Sequence, residues 1–412
     1  IKRWGARDNL GAKLLAAAEK LEAKDDRTFT LDFKKPFGMV LDAFSKPSSI
    51  PLFVMPEKVA QTDPFKQITD MTGSGPYMFA ADRYRPGEKV VYLKNPYYVP
   101  RNEPADGTAG GKHVYVDELD WVILRDAQTV ANAIEKGEVD VVEMVPNEQY
   151  SVLKKNPDIQ LLNQTGKQSA MLHLNHAIPP FNNPKIAQAA LMAINQAALQ
   201  RAQIVHKELW NTCTSIYPCG SLYASDKTDY FTGKPQFKRA QELLKEAGYD
   251  GTPVVLMLPA DMPSLNKYPP VMAELLRRAG FKVDLQSMDW ATLVTRRTKS
   301  SPVSEGGWNG FITFWNQADT FNPLFFAPLT GSGLKGWFGW TDDPKLEALK
   351  DEFVGTSDLA KRKELAEGIQ LRVMDSGVYG MLGEAKPIIA LRKNISGLVE
   401  APISVFWGLK KD

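Results

Sequence analysis

The chain is poor in the residues from which metal centres and covalent frameworks are built. Two cysteines, Cys213 and Cys219, and four histidines occur in 412 residues. A zinc site made of two cysteine pairs is thereby excluded. His113, His173, His176 and His206 are scattered. The pair His173 and His176 straddles the end of a predicted strand, where residues three apart point to opposite faces. No metal site and no cofactor is expected. No apolar run approaches the roughly 20 residues of a membrane-spanning helix. Excess charge is missing too, with 50 Lys and Arg against 48 Asp and Glu and a net charge of +2. That balance leaves no electrostatic footprint for nucleic acid or an anionic membrane. The HExxH, GxSxG and P-loop patterns are absent, so no motif nominates a catalytic residue.

What is present is the profile of a soluble globular chain, 43% hydrophobic and 24% charged, and long enough for two or three domains. Cys213 and Cys219 stand in WNTCTSIYPCGSLYAS. The C-x5-C spacing fits a small surface loop closed by a disulfide worth about 2–3 kcal/mol, with free thiols or a metal pair as alternatives. A disulfide implies an oxidising compartment.

Periodicity assigns most elements. Leu10, Leu14, Leu15, Ala18 and Leu21 predict an amphipathic helix from Asn9 to about Lys24. Thr28–Phe33 alternates as a strand, Phe37–Lys46 looks helical, and Ile50–Val54 is a short apolar strand. From Gly73 to Tyr98, GSGPYMFAADRYRPGEKVVYLKNPYY predicts a β-hairpin around Pro86-Gly87. The Pro/Gly-rich stretch 99–112 is a candidate boundary. Beyond it, strands alternate with helices, first over 116–163 and again over 237–315, as in α/β lobes with crossovers.

The hairpin also resembles a segment of the family 5 extracellular solute-binding proteins, the dipeptide, oligopeptide and nickel receptors of ABC importers. There the pattern is G-[TS]-G-P-[YF], a P-G turn, a short strand and N-x-x-Y. AIEKGEVDVVE (133–143) resembles that family's helix, G-E-x-D and strand unit. Asn175, Pro179, Pro180, Phe181, Asn183, Lys185, Ile186, Ala189 and Asn195 fit a further family passage, whereas Ala187 and Gln188 replace its usual arginine.

The resemblance implies an α/β, two-lobed binding protein of type II-like architecture, with an extra smaller subdomain and a ligand cleft between the lobes. It places the smaller subdomain at 1–112, the lobe I core at 113–175 and 386–412, and lobe II at 176–385. Crossings are expected near Asn175 and near Glu384–Lys386. In the family a phrase like Ile1-Lys2-Arg3-Trp4 lies well inside the mature chain, so an N-terminal part of the precursor is expected to be absent here.

The second half concentrates aromatics: Trp308, Phe311, Phe314, Trp315, Phe321, Phe325, Phe326, Trp337, Phe338 and Trp340. Core packing is the default for most. Trp315 differs because it ends an apolar strand and is followed by Asn316, Gln317 and Asp319, where cleft-lining side chains emerge. The family has W-x-x-D-x-x-D-P there, and its dipeptide receptors set an acidic residue against the peptide's ammonium. Here Asn316 or Gln317 stands near that position and Asp319 matches a later aspartate. A neutral amide cannot form the same charge-assisted pair, which disfavours an unmodified peptide.

Trp337 and Trp340 of WFGW, Trp407 near the C-terminus, and Lys46 and Ser48 of an early loop complete the candidate ligand residues. The reading is therefore a periplasmic, monomeric receptor with no catalytic residues. It captures a peptide or other small polar solute by hinge closure and delivers it to an inner-membrane ABC permease. The alternatives are a secreted hydrolase using a cleft carboxylate pair, and a scaffold protein lacking a cleft.

Overall fold

The computed structural model describes residues 1–47, 50–124, 126–163 and 166–412. Short helices Lys2–Gly5 and Asn9–Ala17 open the chain, which passes directly into strand β1 (Ala18–Ala23). β1 pairs antiparallel with β2 (Phe29–Phe33). The amphipathic helix expected to reach Lys24 therefore ends at Ala17. Its second half meets FTLDF across a tight turn, and cross-strand pairing overrides a helical period of only two turns. Residues 50–54, expected as a strand, have no strand partner; Phe53 and Val54 are largely exposed.

The hairpin forms as β3 (Tyr77–Phe79) and β4 (Lys89–Lys94), with Gly87 in the left-handed region at φ 76°. β5 (Glu118–Val122) adds a third antiparallel strand. Helix Ala127–Lys136 is capped by the Asp126 side chain and stopped by left-handed Gly137, as its sequence predicts. β6 (Val141–Val142) and β7 (Ile159–Leu162) follow, then β8 (Gln168–Leu174), β9 (Trp210–Asn211), β10 (Val254–Pro259), β11 (Val283–Met288), β12 (Gly310–Asn316), β13 (Tyr379–Ala385) and β14 (Ile389–Arg392). Among the described residues no helix is long and apolar enough to cross a membrane.

Two compact units divide the chain. The first comprises 1–15, 43–166 and 386–412; the second comprises 16–42 and 167–385. In the first, β14 returns from the C-terminal region to lie between β6 and β7, antiparallel to both. In the second, a mixed sheet runs β11-β10-β12-β8-β13-β9. The chain passes between the units at 15/16, 42/43, 166/167 and 385/386, and β8, just past the third of these points, is bonded along both edges, to β12 and to β13.

Cys213 and Cys219 form a disulfide with Cα atoms 5.9 Å apart. The loop it closes sits over Glu384, which is fully buried. Glu384 Oε1 accepts from the Cys219 backbone N–H at 2.7 Å and Oε2 from Asn211 Nδ2 at 2.7 Å. Lys167 Nζ stands 3.1 Å from Glu384 Oε2 and donates to the Cys219 carbonyl at 2.6 Å. The two cysteines and Glu384 are the one close grouping of potential metal-ligating side chains among the described residues, but both sulfurs are spent on the disulfide.

Removing this carboxylate takes one acceptor from two part-buried donors and the counter-charge from the Lys167 ammonium. Glu384→Ala is expected to cost about 2–4 kcal/mol in denaturant unfolding. In the Cys213→Ser/Cys219→Ser background the same change should cost less, since the loop carrying the Cys219 amide is already loosened. Equal costs in the two backgrounds would show that loop and carboxylate are independent.

Candidate functional site

β12 reads GFITFWN, and alternation puts Phe311, Thr313 and Trp315 on one face of the sheet. β8 contributes His173 opposite Phe311 in the register. His173 stacks on Phe311 with ring centroids 5.0 Å or less apart and meets Trp337 at 5.0 Å. Trp315 packs edge-on against Trp337 at 5.6 Å and Phe326 at 5.0 Å. Its Nε1 donates to His173 Nε2 at 3.3 Å, which makes that nitrogen the acceptor and puts the imidazole proton on Nδ1. His173 is buried, and burial, followed by the positive charge of Arg297, pushes its pKa down to about 3. It is a neutral ring that orients Trp315.

The polar residues beyond Trp315 are tied to the start of β8. Asn316 Oδ1 accepts from Gln168 Nε2 at 3.0 Å. The Gln317 backbone N–H donates to the Lys167 carbonyl at 2.8 Å, and the Gln317 side-chain oxygen accepts from the Lys167 N–H at 3.3 Å. Both amides thus join the edge where the chain enters the second unit. Asp319, in the short helix Gln317–Thr320, is buried at 5% exposure.

The WFGW segment splits. Trp340 packs with Trp308, Phe311, Met257 and Leu293 in a core cluster at 7% exposure, and Trp337, half-buried, packs on the edge of that cluster and also meets Trp315. Gly339 makes the turn between them: its φ is +116°, and a Cβ there would lie 2.8 Å from the Leu174 carbonyl oxygen.

The remaining candidates belong to the first unit. Lys46 is buried and its ammonium is paired with Asp8. Trp407 is half-buried, with Lys112 Nζ 4.8 Å from its ring centroid. Ser48 lies outside the described residues.

Arg297 was not visible from spacing. It follows helix Trp290–Arg296, and its guanidinium sits 5.2–5.8 Å from the rings of Phe338, Trp290, Trp337 and Phe311. Two adjacent arginines at a helix end read as ordinary surface charge; only the fold wraps one of them in rings. Elsewhere in the second unit, a cavity of about 970 Å³ is walled by Asp226, Lys227, Asp229, Lys345, Arg372 and Asp375. It contains none of the residues nominated from sequence.

Fold and sequence together define the class. Residues 1–337 match the bacterial extracellular solute-binding proteins, family 5 Middle, and the chain belongs to that family. It is a solute-binding protein of the kind that serves peptide ABC transporters. It is 34% identical over 418 residues to the Sinorhizobium fredii protein named "Probable peptide ABC transporter periplasmic-binding protein y4tO", covering 100% of this chain and 78% of that one. The glutathione-binding protein GsiB of Pectobacterium atrosepticum is 26% identical over 402 residues, covering 95% and 73%.

Among solved structures, the Helicobacter pylori periplasmic binding protein DppA in complex with the peptide STSA superposes with a TM-score of 0.77 at 18% identity, covering 100% of this chain and 76% of that one. AgaA of Agrobacterium tumefaciens R10, in complex with agropinic acid, gives 0.78 at 21%, covering 100% and 82%. These structures establish the α/β binding-protein fold expected from the sequence.

His173 also carries a pH prediction. In the unfolded chain its pKa is about 6.5. Between that value and about 3 the unfolded state holds a proton that the folded state refuses. Stability is therefore full above about pH 6.5 and falls as pH drops through this window, by up to about 1.4 kcal/mol per unit. Urea unfolding should show the wild-type protein losing more stability than His173→Gln between about pH 7 and pH 5. Parallel slopes would mean that His173 takes up its proton inside the fold.

Proposed function

We propose that this chain is a periplasmic receptor that captures a small polar, peptide-like solute on the aromatic surface of Trp315 and Trp337 and passes it to an inner-membrane ABC permease. The observation that carries this reading is the half-buried Trp315–Trp337 pair at the end of β12, braced by neutral His173, in a family 5 fold. Rings held edge-on against each other offer a preorganised contact face with little entropy left to lose on binding. Asn316 and Gln317 would meet the solute's polar groups from the same rim.

Trp340 and Lys46 read better as scaffold, since one packs in a core and the other is neutralised by Asp8. Asp319 and Trp407 remain secondary ligand candidates, as does Ser48. The second unit is read as the larger lobe, and the first as carrying the smaller subdomain.

Solute capture by closure about the segments at 166/167 and 385/386 follows from the family resemblance, with the solute shifting the population toward the closed form. The disulfide suits an oxidising compartment such as the periplasm. No bond is made or broken by this subunit, which acts as a monomer. The neutral amides after Trp315 argue against recognition through a peptide ammonium, and in favour of a modified peptide or a conjugate.

Native mass spectrometry of gently purified protein is expected to reveal a discrete co-purified solute. A thermal-shift panel of di- and tripeptides, glutathione and sugar–amino-acid conjugates should then contain at least one stabilising compound. A binder at about 100 times its Kd adds about 2.7 kcal/mol. Trp315→Ala should weaken that binder roughly ten-fold or more, as loss of a buried aromatic contact does. A stable protein that carries no solute, responds to no panel member and instead hydrolyses one would sink the receptor reading.

A further inference from the structure

Arg296 and Arg297 are neighbours in sequence with opposite surroundings. Each nitrogen of the Arg296 guanidinium donates to a protein oxygen: Nε to the Gly306 carbonyl at 3.1 Å, one terminal nitrogen to Gln286 Oε1 at 2.6 Å, and the other to the Gly307 carbonyl at 2.7 Å. That side chain is a strut holding loop 306–307 to the helix end. Arg297 makes no side-chain hydrogen bond and no salt bridge among the described residues, and its Nε is buried with no acceptor. What surrounds it is aromatic: Phe338 at 5.2 Å, Trp290 and Trp337 at 5.7 Å, and Phe311 at 5.8 Å from the guanidinium carbon.

Rings offset part of the desolvation of a guanidinium through their negative faces, but they accept no N–H hydrogen bond of ordinary strength. A planar fork with five donors, partly stripped of water and lacking an oxygen partner, is matched by a carboxylate lying in the same plane. Three polar neighbours near Trp315 bring no charge to compete for the guanidinium. His173 is neutral, and Asn316 and Gln317 are amides. Trp337 touches both Arg297, at 5.7 Å, and Trp315, at 5.6 Å, so the cation lies one ring away from the proposed solute surface.

We propose that Arg297, framed by Trp290, Trp337 and Phe338, receives a carboxylate of the captured solute. This assignment rests on the receptor reading above and narrows it to carboxylate-bearing ligands. The body of the solute would lie on Trp315 and Trp337, and its acid group would reach the Arg297 fork. Burial lowers the affinity of the Arg297 side chain for its proton, which fits a guanidinium short of compensation.

The test compares matched probes. Di- and tripeptides, glutathione and sugar–amino-acid conjugates are prepared as free acids and as carboxamides, and titrated calorimetrically into the wild-type protein, Arg297→Gln and Arg297→Lys. The wild-type protein is expected to prefer the acid of its best binder by about ten-fold or more. Arg297→Gln should abolish that preference, and Arg297→Lys should retain part of it, because a point charge replaces the fork.

Equal binding of acid and amide by the wild-type protein overturns the carboxylate assignment while leaving the receptor reading intact. A preference that survives in Arg297→Gln does the same. If no probe binds in either form, the receptor reading fails for this solute class and the subsite fails with it. Should Arg297→Gln not fold, as judged by circular dichroism, the acid-to-amide ratio of the wild-type protein and of Arg297→Lys still decides.

Discussion

β8 is hydrogen-bonded along both edges, to β12 and to β13, and the register of that double pairing sets everything near the candidate site. It places His173 opposite both Phe311 and Tyr379, and Gln168 opposite both Asn316 and Ala385. One face at this end of the sheet becomes an aromatic array, while the strand ends carry amides and the Glu384 carboxylate. A slip of a single residue would turn His173 and Trp315 to the opposite face, so the strand pairing and the ring contacts enforce each other. The same pairing sets Gln168 opposite Ala385, beside two of the points where the chain passes between the units.

Charge in the second unit is handled in two ways. Glu384 is buried and fully engaged by Lys167, Asn211 and the Cys219 amide, so its cost is met inside the fold. Arg296 likewise has each guanidinium nitrogen bonded to a carbonyl or amide oxygen. Arg297 is set instead against rings, with no oxygen partner among the described residues. That contrast between adjacent, chemically identical side chains is the ground for the proposed carboxylate subsite at Arg297.

Local signals were legible wherever an element carries its own punctuation. Helix 127–136 has its Gly137 stop, and the hairpin has Pro86-Gly87. The signal failed at 9–24, where a strand partner cut the helix short, and at 50–54, where apolar character is not matched by a pairing edge. The double pairing of β8 was not legible, because nothing within β8 reveals that two distant strands flank it. Among site residues, Trp315 stood out as an aromatic ending a strand before polar residues. Trp337 and Trp340 could not be told apart, since their opposite fates depend on the turn at Gly339.

By itself the sequence determined the family, through resemblance, and the α/β class and most elements, because these rest on local propensity, turn chemistry and motifs; the Cys213–Cys219 disulfide was one of the alternatives it offered. It also determined that amides rather than a carboxylate follow Trp315. Tertiary structure alone decided that His173 braces Trp315, that Trp340 belongs to a core, that Lys46 is neutralised by Asp8, and that Arg297 rather than Arg296 has no oxygen partner among the described residues. The physical reason is common to all four. Burial and hydrogen-bond satisfaction are properties of what surrounds a side chain, and residues far apart in the chain supply those surroundings.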